Sequence, residues 1–426
     1  MKPLFDRAAI YEITARCETP FRTSDTANDS DRVLQRFDGS YMIQGSSLAG
    51  SLRSFLRDPR LQCSLFGSQN GPGHLSVSDG IFEPDTDSLL RPRVCIDGAS
   101  GTAMDGQKFD TRHIETGSRF RFSLVFTGME QDMGLLDTVE QLLAAVDQGQ
   151  ILFGGQRSNG FGRVSLTVCK RVFDMTDPQD REAWIQGAAG TPMELPVLRE
   201  SRQVIFTFRA QVPRVLVGAG ADGTRQNGGR EGDVNYTCKE NIRENGQAVI
   251  PGSSLKGTVL SHLRSVGRYL QVPDTLLDDN LGRGNNDEDN GKPCRYSFLD
   301  VGLGNKAQEI TRIRVDRFTG GVMTGGLFHE APLCSEIRAE IHGPADCPAV
   351  SALMLYSLRD LGLGLFNLGS HWNIGYGLPR MEQITAQLGD RRVTLDFDEN
   401  NNIRLEDPDG LAAEWQKALG GVCCEN

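Results

Sequence analysis

Apolar and polar residues alternate through "AIYEITARCETP", which ends at Pro20, and again through "QVIFTFRAQVP", which ends at Pro213. A period of two is the mark of a strand with one buried face, so each run predicts a β-strand. The period then changes. After Met42-Ile43 and after Val249-Ile250 the chain reads Gly-Ser-Ser-Leu-x-Gly, and Leu48, Leu52, Phe55 and Leu56 follow at helical spacing. Leu255, Val259, His262 and Leu263 repeat that spacing. Each copy predicts a strand, a glycine turn, a serine N-cap and an amphipathic helix. A second helical pattern comes late in each half, "MGLLDTVEQLLAAVDQG" and "CPAVSALMLYSLRDLGLG".

The two halves share more than this. A loop rich in Gly, Asp and Asn precedes each Gly-Ser-Ser motif. An Arg-x-Arg-Val stretch ending in Phe follows, "RPRVCIDGASGTAMDGQKF" from Arg91 and "RIRVDRFTGGVMTGGLF" from Arg312. Last comes a glycine-rich loop, "FGGQRSNGFGRV" from Phe153 and "LGSHWNIGYGLPRM" from Leu368, sharing Gly, Asn, Gly, aromatic, Gly. The same features in one order at a nearly constant separation indicate a duplication. Residues 174–200 break the strand rhythm. The expected division is a first domain at 1–173, a linker at 174–201, a second domain at 202–393 and an acidic C-terminal extension at 394–426. The order β-α-β-β-α-β, met twice, predicts an α+β chain of two tandem ferredoxin-like, RRM-like domains with glycine-rich loops and hairpin excursions.

Composition narrows the function classes. The 426 residues include 49 glycines, as suits tight turns and backbone-lined surfaces rather than a helical bundle. No apolar run is long enough to span a bilayer, and the start "MKPLFDRAAIYEIT" goes straight into a strand pattern, so a cytoplasmic protein without a membrane partner is expected. The ten cysteines form no C-x-x-C pair, which argues against a zinc ribbon or a secreted disulfide scaffold. A net charge of −11 weighs against a nucleic-acid partner, but much of the acid sits in loop-like segments near 278–290 and in "DFDENNNIRLEDPD". A basic groove can coexist with acidic loops elsewhere.

The Gly-Ser-Ser motif offers chemistry of its own. A glycine turn entering a helix presents free N–H groups and the positive end of the helix dipole, which suits a phosphate. "IPGSSLKG", "RVDRFTGGVMTGGLF" and the late glycine loop resemble the RAMP superfamily. More narrowly they resemble the Cas-seven-type backbone subunits of type III CRISPR effector complexes, here in a fused double-RAMP form of the type III-D-like kind. The resemblance implies guide crRNA and complementary target RNA as ligands. It also implies other RAMP-type subunits and a large signalling subunit as partners. It points to Gly45, Ser46, Ser47, Gly252, Ser253, Ser254 and Lys256 as RNA-binding residues, with Arg53 and Arg264 on the following turns. Arg157, Asn159, His371 and Asn373 stand at the tips of the glycine loops. Ala49 replaces the family's lysine in the first copy.

Many such subunits cut target RNA with a metal-dependent aspartate on a loop before the Gly-Ser-Ser motif. The family's Asp-x-Pro-Ile/Val-x-Arg pattern is best matched by "DRVLQR", Asp31 to Arg36, without the proline; Asp29 is the close alternative. In the second half Asp233 takes that place, with no Arg at the family's spacing. Asp31 and Asp233 are thus the expected metal and catalytic residues, with Mg²⁺ as the ion. The excursions after Arg93 and Arg314 resemble the family's thumb, carrying Asp97, Asp316 and Arg317. Competing readings are a non-cleaving scaffold of the same complex, a RAMP-type repeat-processing endoribonuclease, and a nucleotide- or phosphosugar-binding enzyme. The endoribonuclease reading lacks a suitably placed histidine before the motif. The nucleotide or phosphosugar reading lacks a Walker or dinucleotide fingerprint.

Overall fold

The computed structural model describes residues 5–24, 32–69, 71–96, 103–198, 201–218, 222–226, 235–284 and 291–424. The chain forms two compact units. The first comprises Met1–Leu90, Asp110–Arg157 and Phe161–Glu200, the second Arg91–Phe109, Ser158–Gly160 and Ser201–Asn426. Along the first half run β1 (Arg7–Cys17), β2 (Met42–Ile43), α1 (Gly45–Phe55), α2 (Pro59–Phe66), β3 (Leu75–Val77) and β4 (Gly80–Phe82). They are followed by β5 (Ser88–Ile96), β6 (Ala103–Ile114), β7 (Arg119–Gly128), α3 (Leu135–Asp147), β8 (Val164–Asp174), α4 (Pro178–Ile185) and β9 (Thr191–Met193).

β1 is the central strand, antiparallel to β7 on one side (Arg7 opposite Gly128) and to β8 on the other (Arg7 opposite Asp174). The sheet order is β2-β4-β7-β1-β8-β9 with β3 also on β7, which contains the ferredoxin-like arrangement. The period-two pattern of β1 does what it predicts. Tyr11, Ile13, Ala15 and Cys17 are buried in one cluster with Leu48 and Leu52 of α1 and Val139, Leu142 and Leu143 of α3. The segment expected as a linker is built into this unit. The Asp177 side chain caps α4, β9 pairs with β8, and Met193, Leu195 and Leu198 pack on the core.

In the second unit β10 (Gln203–Val215) holds the same central place, between strands Leu333–Pro344 and Arg380–Leu388. Its helices are α5 (Gly252–Tyr269), α6 (Asp274–Leu281), α7 (Pro348–Gly362) and α8 (Leu411–Cys424). Val204, Phe206, Phe208, Ala210 and Val212 alternate into the core, against Leu255, Val259 and Leu263 of α5. Strands Ile310–Val315 and Val322–Glu330 form the hairpin excursion. The acidic C-terminal stretch adds strand Ile403–Glu406 to the sheet, and Leu411, Trp415 and Leu419 of α8 enter the core. No helix among the described residues is long and apolar enough to cross a membrane.

Candidate nucleic-acid interface

Each Gly-Ser-Ser motif begins a helix, but not through the serine cap that its sequence predicts. α1 starts after Gln44 and α5 after Pro251, and neither start has a side-chain cap. The serines lie within the first turn: Ser47 N–H donates to the Gln44 carbonyl at 2.9 Å and Ser254 N–H to the Pro251 carbonyl at 2.8 Å. A carboxylate from farther along the chain satisfies the first amide instead. Gly45 N–H donates to Asp79 Oδ1 at 2.7 Å, and Gly252 N–H to Asp300 Oδ1 at 2.6 Å. Close packing explains the glycines. A Cβ on Gly45 would stand 2.4 Å from the Val77 carbonyl oxygen, and one on Gly252 1.9 Å from that of Phe298.

This arrangement changes where an anion can bind. A carboxylate already occupies the positive end of each helix, so the glycine amides are not open to phosphate. Among the described residues, the Ser46 and Ser253 N–H groups have no protein acceptor. Those amides and the serine hydroxyls are the donors left to a ligand. Asp300 shares one cation with a second carboxylate: the Arg91 guanidinium, 1% exposed, lies 2.7 Å from its Oδ2 and 2.6 Å from Glu244 Oε2. Asp79 is exposed and has no ion-pair partner among the described residues. Lys256, one turn into α5, donates from Nζ to Ser158 Oγ at 2.8 Å. Burial, and secondarily the charge of Arg93, hold its ammonium below the usual lysine range, with Cys294 opposing.

The glycine loops are built alike. Phe153 N–H donates to the Gly162 carbonyl and Leu368 N–H to the Gly377 carbonyl, both at 2.9 Å. Gly162 and Gly377 lie in the left-handed region, φ 89° and 70°, where a Cβ would also stand 1.9 Å from the carbonyl oxygen of Phe153 or Leu368. Gln156 and His371 both have φ 60°, and Arg157–Asn159 and Trp372–Ile374 each make one 3₁₀ turn. This register makes Ser158 the counterpart of Asn373, and Asn159 that of Ile374. The shared asparagine of the sequence pattern therefore falls one position apart, because glycines and loop-closing hydrogen bonds set the geometry.

Two of the loop-tip side chains, Arg157 and His371, are engaged in the protein, whereas Asn373 is exposed. Arg157 donates from Nε to the Gly154 carbonyl and from Nη2 to Ser51 Oγ, both at 2.9 Å, which ties its loop to α1. His371 Nε2 lies 2.7 Å from Oε1 of Glu330, a fully buried carboxylate. Arg312 Nε lies 3.2 Å from the other Glu330 oxygen, and Arg312 Nη2 donates to the Tyr376 hydroxyl at 2.6 Å. Glu330 thus fastens the glycine loop to the base of the hairpin. No feature of the sequence singled it out.

The remaining candidates divide. Arg264 is committed to Asp278 Oδ1 at 2.8 Å and to the Gly282 carbonyl, whereas Arg53 has no carboxylate partner among the described residues and lines an open groove. Asp316 is a turn former: its Oδ1 accepts from Phe318 N–H at 2.9 Å and Thr319 N–H at 2.7 Å, and these bonds, Thr319's first, hold its carboxyl below the usual range. Arg317 beside it is exposed. Asp29, Asp31, Asp97 and Asp233 lie outside the described residues. Among the described residues no three His, Cys, Asp or Glu side chains stand close enough to hold a metal ion.

The family model for the RAMP superfamily matches residues 14–165 and 207–380. No curated protein matches the chain in sequence.

Proposed function

Because the chain belongs to the RAMP superfamily, a family of CRISPR-associated RNA-binding proteins, we propose that it is the guide-RNA-binding backbone subunit of a type III CRISPR effector complex, carrying two RAMP domains in one polypeptide. What supports this reading best is that one helix-start construction occurs twice. In each copy a carboxylate fixes the helix start and two serines occupy the first turn, and each half carries a glycine loop of the same closure. Amide and hydroxyl donors on a fixed helix start recognise a sugar-phosphate backbone without reading its sequence, as a guide-holding subunit requires. Some members of the superfamily are nucleases, and Asp31 and Asp233 are the residues we assign to target-RNA cleavage. A divalent ion such as Mg²⁺ would supply positive charge at the scissile phosphate. The decisive experiment is extraction of nucleic acid from the purified assembly. Short RNAs sharing one 5′ sequence are expected; RNA-free protein, or RNAs with random ends, would refute the reading.

A further inference from the structure

We propose that the first unit carries a second RNA contact, a single-stranded subsite in the groove between the end of α1 and the loop after α2. The proposal rests on the RNA-binding reading above and extends it to residues outside the Gly-Ser-Ser helix start. The groove has a volume of 790 Å³ and is lined by Arg53, Phe66, Ser68, Gln69 and Pro72 with the adjoining glycines.

The second unit shows the same place with its cations paired. There α5, α6 and Gly282 (φ 79°) repeat the course of α1, α2 and Gly67 (φ 81°), and a lone bridge follows each glycine, Arg283 to Lys292 and Ser68 to Gly71. In that copy α6 supplies Asp274, Asp278 and Asp279, and the cations are consumed. Arg264 lies 2.8 Å from Asp278, Lys292 2.5 Å from Asp279 and Arg268 3.3 Å from Asp274. The corresponding α2, "PRLQCSLF", contains no acid. Its one acidic neighbour, Asp58, is used as the N-cap, accepting from Arg60 N–H at 2.8 Å. Arg53, Arg57 and Arg60 therefore have no carboxylate partner among the described residues. A cation left uncompensated in a concave site attracts an anion more strongly than one on a flat surface.

Phe66 adds the second half of the recognition. Its ring is half-buried, packed from behind on the core of the first unit, and its remaining surface lines the groove beside Arg53. A supported ring next to an arginine matches one nucleotide, with the base on the ring and the phosphodiester on the guanidinium. The groove is open to solvent rather than enclosed, so a polymer can reach it.

The test uses the full chain and a fluorescein-labelled oligouridylate containing 4-thiouridine, read by anisotropy at several salt concentrations and by mapping photo-crosslinks. Arg53→Gln should weaken binding several-fold and lower the slope of log K against log salt by about 0.7, the share of one single-strand phosphate contact. Phe66→Leu should weaken binding with the slope unchanged. Gln69→Glu, at an exposed position that does not threaten folding, should also weaken it, and the crosslink should fall on Phe66, Ser68, Gln69 or Pro72. Suppose the wild type binds and Lys256→Met weakens it, while these three variants bind normally and no crosslink maps to the loop. The groove is then refuted and the RNA reading stands. A wild type that binds no RNA overturns both. If inorganic pyrophosphate protects the loop as well as oligouridylate does at equal concentration, the site is a phosphate pocket and the proposal fails.

Discussion

Lys256 concentrates the energetics of the interface in one side chain. Its ammonium is desolvated and near Arg93, so the fold bears a cost for keeping it charged. The sign of the linkage follows. With the folded pKa below the ordinary lysine value of 10.5, the unfolded chain binds more protons between the two values, and stability rises with pH across that window. A phosphate would relieve the same cost, so RNA affinity should fall with rising pH earlier than an ordinary lysine would dictate. Lys256→Met is expected to weaken RNA binding about tenfold, as loss of one charge-assisted contact worth roughly 1.5 kcal/mol or more. Its melting temperature should stay level or rise, because the buried charge goes with the hydrogen bond to Ser158. A melting temperature several degrees lower would show that Lys256 is a structural residue. Lys256 was legible because it sits inside a repeated motif. Asp79 and Asp300 were not, since they lie 34 and 48 residues from the glycines they hold, and no fixed spacing marks them.

The elements show the same division between local and distant causes. β1 and β10 could be read from alternation alone, and α1 and α5 from their apolar spacing, because burial follows backbone periodicity. The end of the first unit could not. "DMTDPQDREAWIQGAAGTPMELPVLRE" lacks period-two order, yet β9 pairs with β8, an edge available only once the sheet exists. The glycine loops lie between these cases: their glycines predict a turn, but what fastens the second loop is Glu330, a strand residue of the hairpin. Glu330→Ala would remove the carboxylate that Arg312 and His371 both face and, with those two partly exposed, should cost about 1–3 kcal/mol. Gly377→Ala places a side chain at φ 70° and 1.9 Å from the Leu368 carbonyl oxygen, so the loop must open. Both should raise hydrogen exchange at 368–377 while β10 stays protected; equal loss throughout the second unit would mean that the loop does not open separately.

At the scale of the molecule, the duplication decides what cleavage should look like. Each half has its own core and its own Gly-Ser-Ser helix, and each carries one aspartate assigned to the loop before that helix, Asp31 and Asp233. If both act on one bound RNA, they act on different phosphates, and neither needs the other's carboxylate. Their contributions should then be separable: Asp31→Ala removes one fragment boundary from a labelled target, Asp233→Ala removes another, and the double variant removes both. Guide retention should be unchanged in all three, because the assigned grip lies in serine, lysine and amide donors rather than in these acids. Chelation by EDTA should suppress both cuts together, since a loop carboxylate acting through a divalent ion loses its electrophile with the ion. The second boundary should be the fainter, as Asp233 has no arginine at the spacing that Arg36 keeps from Asp31. Gel-resolved cleavage inside the assembled complex measures this directly. A ladder unchanged in the double variant would make both aspartates ordinary loop residues and the chain a scaffold that holds RNA without cutting it.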